Sequence, residues 1–161
     1  MARDVTITTP SDREVLLTRE FDAPSALVFD ALTQPELLRR WYGPTGWTLI
    51  VCEIELKVDG AWHFVVQRPD GKKFGQLGNY RVIKRPHLIV NTETWDDWDA
   101  GETLVTTSLS ERAGKTTFQS NILFPSQEVR DIVVKGGLEH GTAESYQKLD
   151  DLLSSLNPPT K

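Results

Sequence analysis

Pro125-Ser-Gln-Glu-Val-Arg-Asp-Ile-Val-Val-Lys-Gly-Gly-Leu138-Glu-His-Gly-Thr-Ala-Glu-Ser-Tyr-Gln-Lys-Leu-Asp-Asp-Leu-Leu-Ser-Ser-Leu156 closes the chain and decides its fold. Ser126 offers a capping oxygen, and Glu128 falls in the first turn, where the helix dipole favours an acid. Val129, Ile132 and Val133 form one apolar stripe; Leu138, Thr142, Tyr146, Leu149 and Leu153 form another. At about 100° per residue the two stripes point to nearly opposite sides of one straight helix. A break at Gly136-Gly137 lets both face the same surface. The second piece, about Leu138 to Leu156, is a long amphipathic helix ended by Asn157-Pro-Pro159.

What this helix covers is written upstream. Arg13 to Phe21 alternates, with Val15, Leu17 and Phe21 on one face, and Asp22-Ala23-Pro24 stops it. Pro24 suits the start of a short apolar helix carrying Leu27, Phe29, Ala31 and Leu32. Thr33-Gln-Pro-Glu36 reads as a capping box for a second short helix with Leu37, Leu38 and Trp41, ended by Gly43-Pro44. An antiparallel meander follows. Trp47 to Val58 alternates with Ile50, Cys52, Ile54, Leu56 and Val58 together, and Asp59-Gly60 signals a tight hairpin. Ala61 to Gln67, Phe74 to Lys84 and Leu88 to Trp95 are the next strands. A loop is expected over Asp96 to Gly101, then a final hairpin from Leu104 to Arg112 and Lys115 to Phe124.

The fold expected is therefore α+β: a curved antiparallel sheet of about six or seven strands around a long C-terminal helix, with two short helices after the first strand. Residues 1–161 read as a single domain, with 1–10 and 157–161 as loose tails. The net charge of −5 disfavours a broad basic face for nucleic acid. The one cysteine, Cys52, precludes an internal disulfide and reads as a small packed hydrophobe. No signal peptide is evident, and runs such as Leu49-Ile-Val-Cys52 fall far short of a membrane span, so a cytoplasmic protein is expected.

The inner face of such a sheet carries large rings, Trp62, Phe64, Tyr80 and Phe118, beside small or polar residues, Gly78, Thr92, Thr107 and Ser120. Small polar residues facing a helix fill space badly, so a cavity is expected; the alternative is that the rings fill the space themselves.

Phe21-Asp-Ala-Pro24, Val28-Phe29, Pro35-Glu36 and Arg40-Trp-Tyr-Gly-Pro44 resemble the opening of the SRPBCC proteins known as activator of heat shock protein 90 ATPase homologues. The likeness continues through Asp59-Gly60-Ala-Trp62-His-Phe64, Gly78-Asn-Tyr80, Arg85-Pro86-His-Leu88 and Gly141 to Leu149. It implies the helix-grip or START-like fold, as in the birch pollen allergen, with a ligand cavity between sheet and long helix. Relatives often carry a second glycine where Ala61 stands and a tryptophan where Thr142 stands. The threonine should enlarge or polarise the cavity. Eukaryotic co-chaperones of the family carry an extra N-terminal domain for which this chain has no residues to spare, so chaperone activation is not the expected role.

Catalytic signatures are few. No nucleophile elbow, P-loop or dinucleotide fingerprint occurs, and His63, His87 and His140 are scattered without metal-pair spacing. Trp95-Asp-Asp-Trp-Asp99, with Glu93 and Glu102 nearby, lacks the spacing of a calcium loop and reads as a solvated acidic hairpin. Its two tryptophans suit a cavity mouth or a partner surface. Trp41 reads as a plug seating the short helices or as part of the cavity entrance, and both can hold. The ligand wall expected is Trp41, Trp62, Phe64, Tyr80, Thr107, Phe118, Thr142 and Tyr146, with no catalytic residue, no metal and no cofactor. The partner expected is a small apolar or amphipathic molecule, with neither nucleic acid nor membrane. A homodimer and a chaperone contact stay open. Fold analogy alone does not choose among a carrier or sensor, an enzyme of cyclase, dehydratase or hydrolase type, and a protein-contact module.

Overall fold

The computed structural model describes residues 5–157. Eight strands form one antiparallel sheet: β1 (Thr6–Thr8), β2 (Glu14–Phe21), β3 (Thr48–Ile54), β4 (Ala61–Gln67), β5 (Lys73–Lys84), β6 (Leu88–Trp95), β7 (Trp98–Arg112) and β8 (Lys115–Leu123), in the spatial order β1-β2-β8-β7-β6-β5-β4-β3. Helices α1 (Ser25–Thr33) and α2 (Pro35–Trp41) lie between β2 and β3, and α3 (Gln127–Lys135) and α4 (Leu138–Leu156) close the chain. The expected helix-grip fold is the fold observed.

The break between the two C-terminal helices stands where the opposed stripes require it. Ser126 Oγ accepts from Val129 N at 3.2 Å, and Gly137 adopts φ +103°, a left-handed conformation that costs glycine nothing. Downstream of the break α4 buries Ser145, Tyr146, Leu149, Leu152 and Leu153. The Tyr146 ring meets Phe21 and Phe118 edge-on, which seats the helix over β2 and β8. Its middle is tied to the segment after α2: Lys148 Nζ donates to Pro44 O at 3.3 Å, and Thr45 N donates to Glu144 Oε1 at 3.2 Å. Held at both places, α4 spans the concave face of the sheet.

Several local expectations are corrected. The stretch 1–10 is not wholly a loose tail: Ile7, between two β-branched threonines, pairs with Leu17 and adds an edge strand to β2. Residues 1–4 and 158–161 lie outside the described residues. β3 stops at Ile54, and an irregularity between Leu49 and Val51 shifts its side chains, so Leu49 is buried while Ile50 is exposed. Residues 55–60 form a loop rather than a tight hairpin, turning Leu56 and Val58 outward. It is pinned where Asp59 N donates to Tyr80 O and Tyr80 N to Gly60 O. Gly60 is required there, since an added Cβ would lie 2.1 Å from Glu55 O. Thr33 does not cap α2; its hydroxyl donates back to Phe29 O, and Gln34 is the cap residue. The loop expected at 96–101 is a two-residue turn, because Trp98 pairs with Trp95 and begins β7 at once.

Candidate functional site

Between the sheet and the last two helices lies a cavity of about 830 Å³. Side-chain alternation decides which residues reach it. On β4 the even positions Trp62, Phe64 and Val66 point in, and on β8 so do Phe118, Ser120 and Ile122. On β7 Val105 and Thr107 face the space. Across the top, α4 presents Leu138, Thr142, Ser145 and Tyr146, and α3 presents Ile132 and Val133. Trp41 and Tyr42 enter from the end of α2. All eight residues singled out from the sequence line this space: Trp41, Trp62, Phe64, Tyr80, Thr107, Phe118, Thr142 and Tyr146.

The aromatic wall is continuous. Phe118 meets Tyr146 at 5.2 Å between ring centres, Tyr146 meets Trp41 at 6.4 Å, Trp41 meets Tyr42 at 5.6 Å, Tyr42 meets Phe64 at 5.2 Å, and Phe64 meets Trp62 at 4.9 Å. Most of these contacts are edge-on or tilted, the arrangement ring quadrupoles prefer. Two indoles are fixed by hydrogen bonds: Trp41 Nε1 donates to Ala31 O at 2.9 Å, and Trp62 Nε1 donates to Thr92 O at 3.1 Å. Trp41, 4% exposed, is both the plug that locks α2 onto α1 and part of the wall. Trp95 and Trp98, 5.1 Å apart, and Trp47 stacked on Phe74 also line the space.

Two sequence expectations about polarity are altered. Thr142 does not polarise the space, because its hydroxyl donates to Leu138 O at 2.7 Å, back along its own helix. Thr92 is buried off the cavity: its hydroxyl accepts from Asn79 N at 2.9 Å, and the odd positions Ile89, Asn91, Glu93 and Trp95 face inward instead. That phase shift brings in the residue sequence reasoning missed as a site residue. Glu93, which the sequence sets near the acidic Trp95–Asp99 segment, lies on the wall of the cavity. It is part-buried there, and burial pushes its carboxyl up to about 7. The only available signal was the strand alternation of β6 continued through Thr92, set one residue out of phase.

Around it, Tyr42 donates to Gln76 Oε1 at 2.6 Å, and burial, with the nearby negative charge of Glu93 adding to it, raises its phenol far above the ordinary value. Burial likewise raises Tyr80 and Tyr146. Thr107 and Ser120 share a hydrogen bond at 3.2 Å. Cys52, buried outside the cavity wall, has its thiol pushed up to about 11, which makes it unreactive at neutral pH. None of the three histidines lines the cavity; His63 lies at the surface between Glu53 and Asp96, 3.2 Å from the latter. Among the described residues no group of three or more His, Cys, Asp or Glu is placed to hold a metal ion, and no helix is long and apolar enough to cross a membrane.

Residues 22–154 match the family model described as activator of Hsp90 ATPase homolog 1-like protein. The chain belongs to that family. A structure of a Rhodobacter sphaeroides protein superposes with a TM-score of 0.88 at 30% identity, covering 94% of this chain and 99% of that one. Structures at lower identity share the architecture alone. A Mycobacterium smegmatis protein has a TM-score of 0.84 at 22% identity over 92% of this chain and 96% of that one. The AHSA1 protein of Silicibacter pomeroyi has 0.71 at 22% identity over 89% and 99%. No curated protein matches the sequence.

Proposed function

We propose that this family member binds a small apolar or amphipathic molecule between its sheet and C-terminal helix, as a carrier or sensor. The observation that carries the reading is the aromatic-walled cavity of about 830 Å³, large enough for a molecule of several rings. The hydroxyls of Thr107, Ser120 and Thr142 are engaged with one another or with backbone, and most of the wall is apolar, so shape and apolar area would dominate affinity. A neutral polarity-sensitive dye such as Nile red should bind with a blue-shifted emission. Thr142→Trp should weaken that binding roughly tenfold by filling the space beneath α4. Undiminished dye affinity in that variant would place the dye elsewhere and count against the reading.

An enzymatic use of the same cavity is the second reading, favoured by one observation. A carboxyl raised to about 7 is matched to proton transfer at neutral pH. It ranks second because no other group of the wall is poised to take the reciprocal proton. Turnover of a bound compound, lost in Glu93→Gln with binding retained, would reverse the order.

A further inference from the structure

The cavity holds one acid among its rings that the fold leaves uncompensated. No hydrogen bond or ion pair reaches the Glu93 carboxyl among the described residues, and burial alone accounts for its shifted titration. The phenol that feels its charge, Tyr42, donates its proton to Gln76 instead. The cations on the wall, Lys72 and Lys73, are exposed at the rim, and neither contributes to the state of the carboxyl. Directly across the β6–β7 register stands Thr103, fully buried, whose hydroxyl oxygen also lacks a hydrogen-bond partner. Thr103 is sealed behind the wall and does not line the cavity, whereas Glu93 does, so the carboxyl is the group a ligand can reach beside the aromatic rings. A buried polar group is costly unless something satisfies it, and a buried charge more so.

We infer that the ligand class of this cavity is a cationic amphiphile, an apolar body carrying a protonated amine whose ammonium is set against Glu93 while the body lies along the rings. This rests on the proposed binding function and specifies its chemistry. An ammonium supplies the missing counter-charge and hydrogen-bond donors in one group. The faces of Tyr42, Phe64, Trp62 and Trp95 attract a cation through their quadrupoles, more strongly once water is excluded. A carboxylate or sulfonate ligand would instead meet like charge at the same place. The net charge of −5 also favours the approach of cations over anions.

The other titratable groups facing the space are Tyr42 from α2, Tyr80 from β5 and Tyr146 from α4, all raised by burial, with Lys72, Lys73 and Asp97 exposed at the rim. Amine affinity should therefore rise with pH through about 7 as Glu93 ionises.

Displacement of bound Nile red by naphthylmethylamine, naphthylmethanol and naphthoate tests the idea, since the three share a body and differ in charge. The amine is expected to bind at least about tenfold more tightly than the alcohol near pH 8, with naphthoate weakest. That advantage should shrink towards equality near pH 5 and in Glu93→Gln. An alcohol as tight as the amine in the native chain would overturn the inference, as would an amine advantage undiminished in Glu93→Gln. If the alcohol displaces the dye but the amine gains nothing, only the ligand class falls. If neither dye nor probes bind, the cavity reading falls and this one with it. Should the variant fail to fold, the pH series on the native chain decides by itself.

Discussion

Burial on the cavity wall raises the Glu93 carboxyl to about 7 against an ordinary 4.5. The folded chain therefore holds a proton that the unfolded chain has released in that interval. Stability from this group is fully present below about 4.5 and is lost as pH rises through about 7. Glutamine removes the charge and keeps the shape. The advantage of Glu93→Gln over the native chain should grow by about 1–3 kcal/mol between acidic and mildly alkaline pH, read by urea denaturation. A constant difference across that range would mean that water reaches the carboxyl. Thr142 teaches the converse: the residue type suggested a polar lining, but helical geometry returned its hydroxyl to Leu138 O.

At the scale of elements, the pair Gly136-Gly137 sets the relation between α3 and α4. A Cβ on Gly137 would meet nothing within 4 Å, so any cost of substitution there is backbone strain at φ +103° rather than a clash. Gly137→Ala should destabilise the fold by about 1–2 kcal/mol, measured as a lowered denaturation midpoint with unchanged slope. An unaltered midpoint would show that the joint tolerates another conformation. The strands illustrate a different limit. Alternation located most of them, because one face of each is buried and the side-chain period is two. It is weakest where the register slips, at the irregularity after Leu49 and at the one between Glu93 and Trp95. One residue of slip moves every later side chain to the other face, which is how Ile50 came to lie outside.

For the molecule as a whole, binding confined to the folded state must stabilise it by mass action. A ligand at about a hundred times its dissociation constant adds roughly 2.7 kcal/mol, so the melting temperature should climb steadily with its concentration. Replacing His63, His87 or His140 singly by alanine should leave dye affinity within about twofold, since none of them lines the cavity. A large loss in any one, with the fold intact, would move the site away from the sheet–helix space. Equilibrium titration of the three variants checks this directly.

The long C-terminal helix, its glycine break, the antiparallel meander and the rings that would share one face are legible in the chain, because they follow from local periodicity, capping and turn chemistry. Trp62 and Phe64 were legible for that reason: they stand two residues apart on one strand, at the strand period. That Glu93 joins them and that Thr92 does not follows only from the folded arrangement. Those outcomes depend on strand register, on a slip of one residue, and on how well protein screens a group from water. Each is a property of elements distant in the chain brought together, and no window of neighbouring residues contains it.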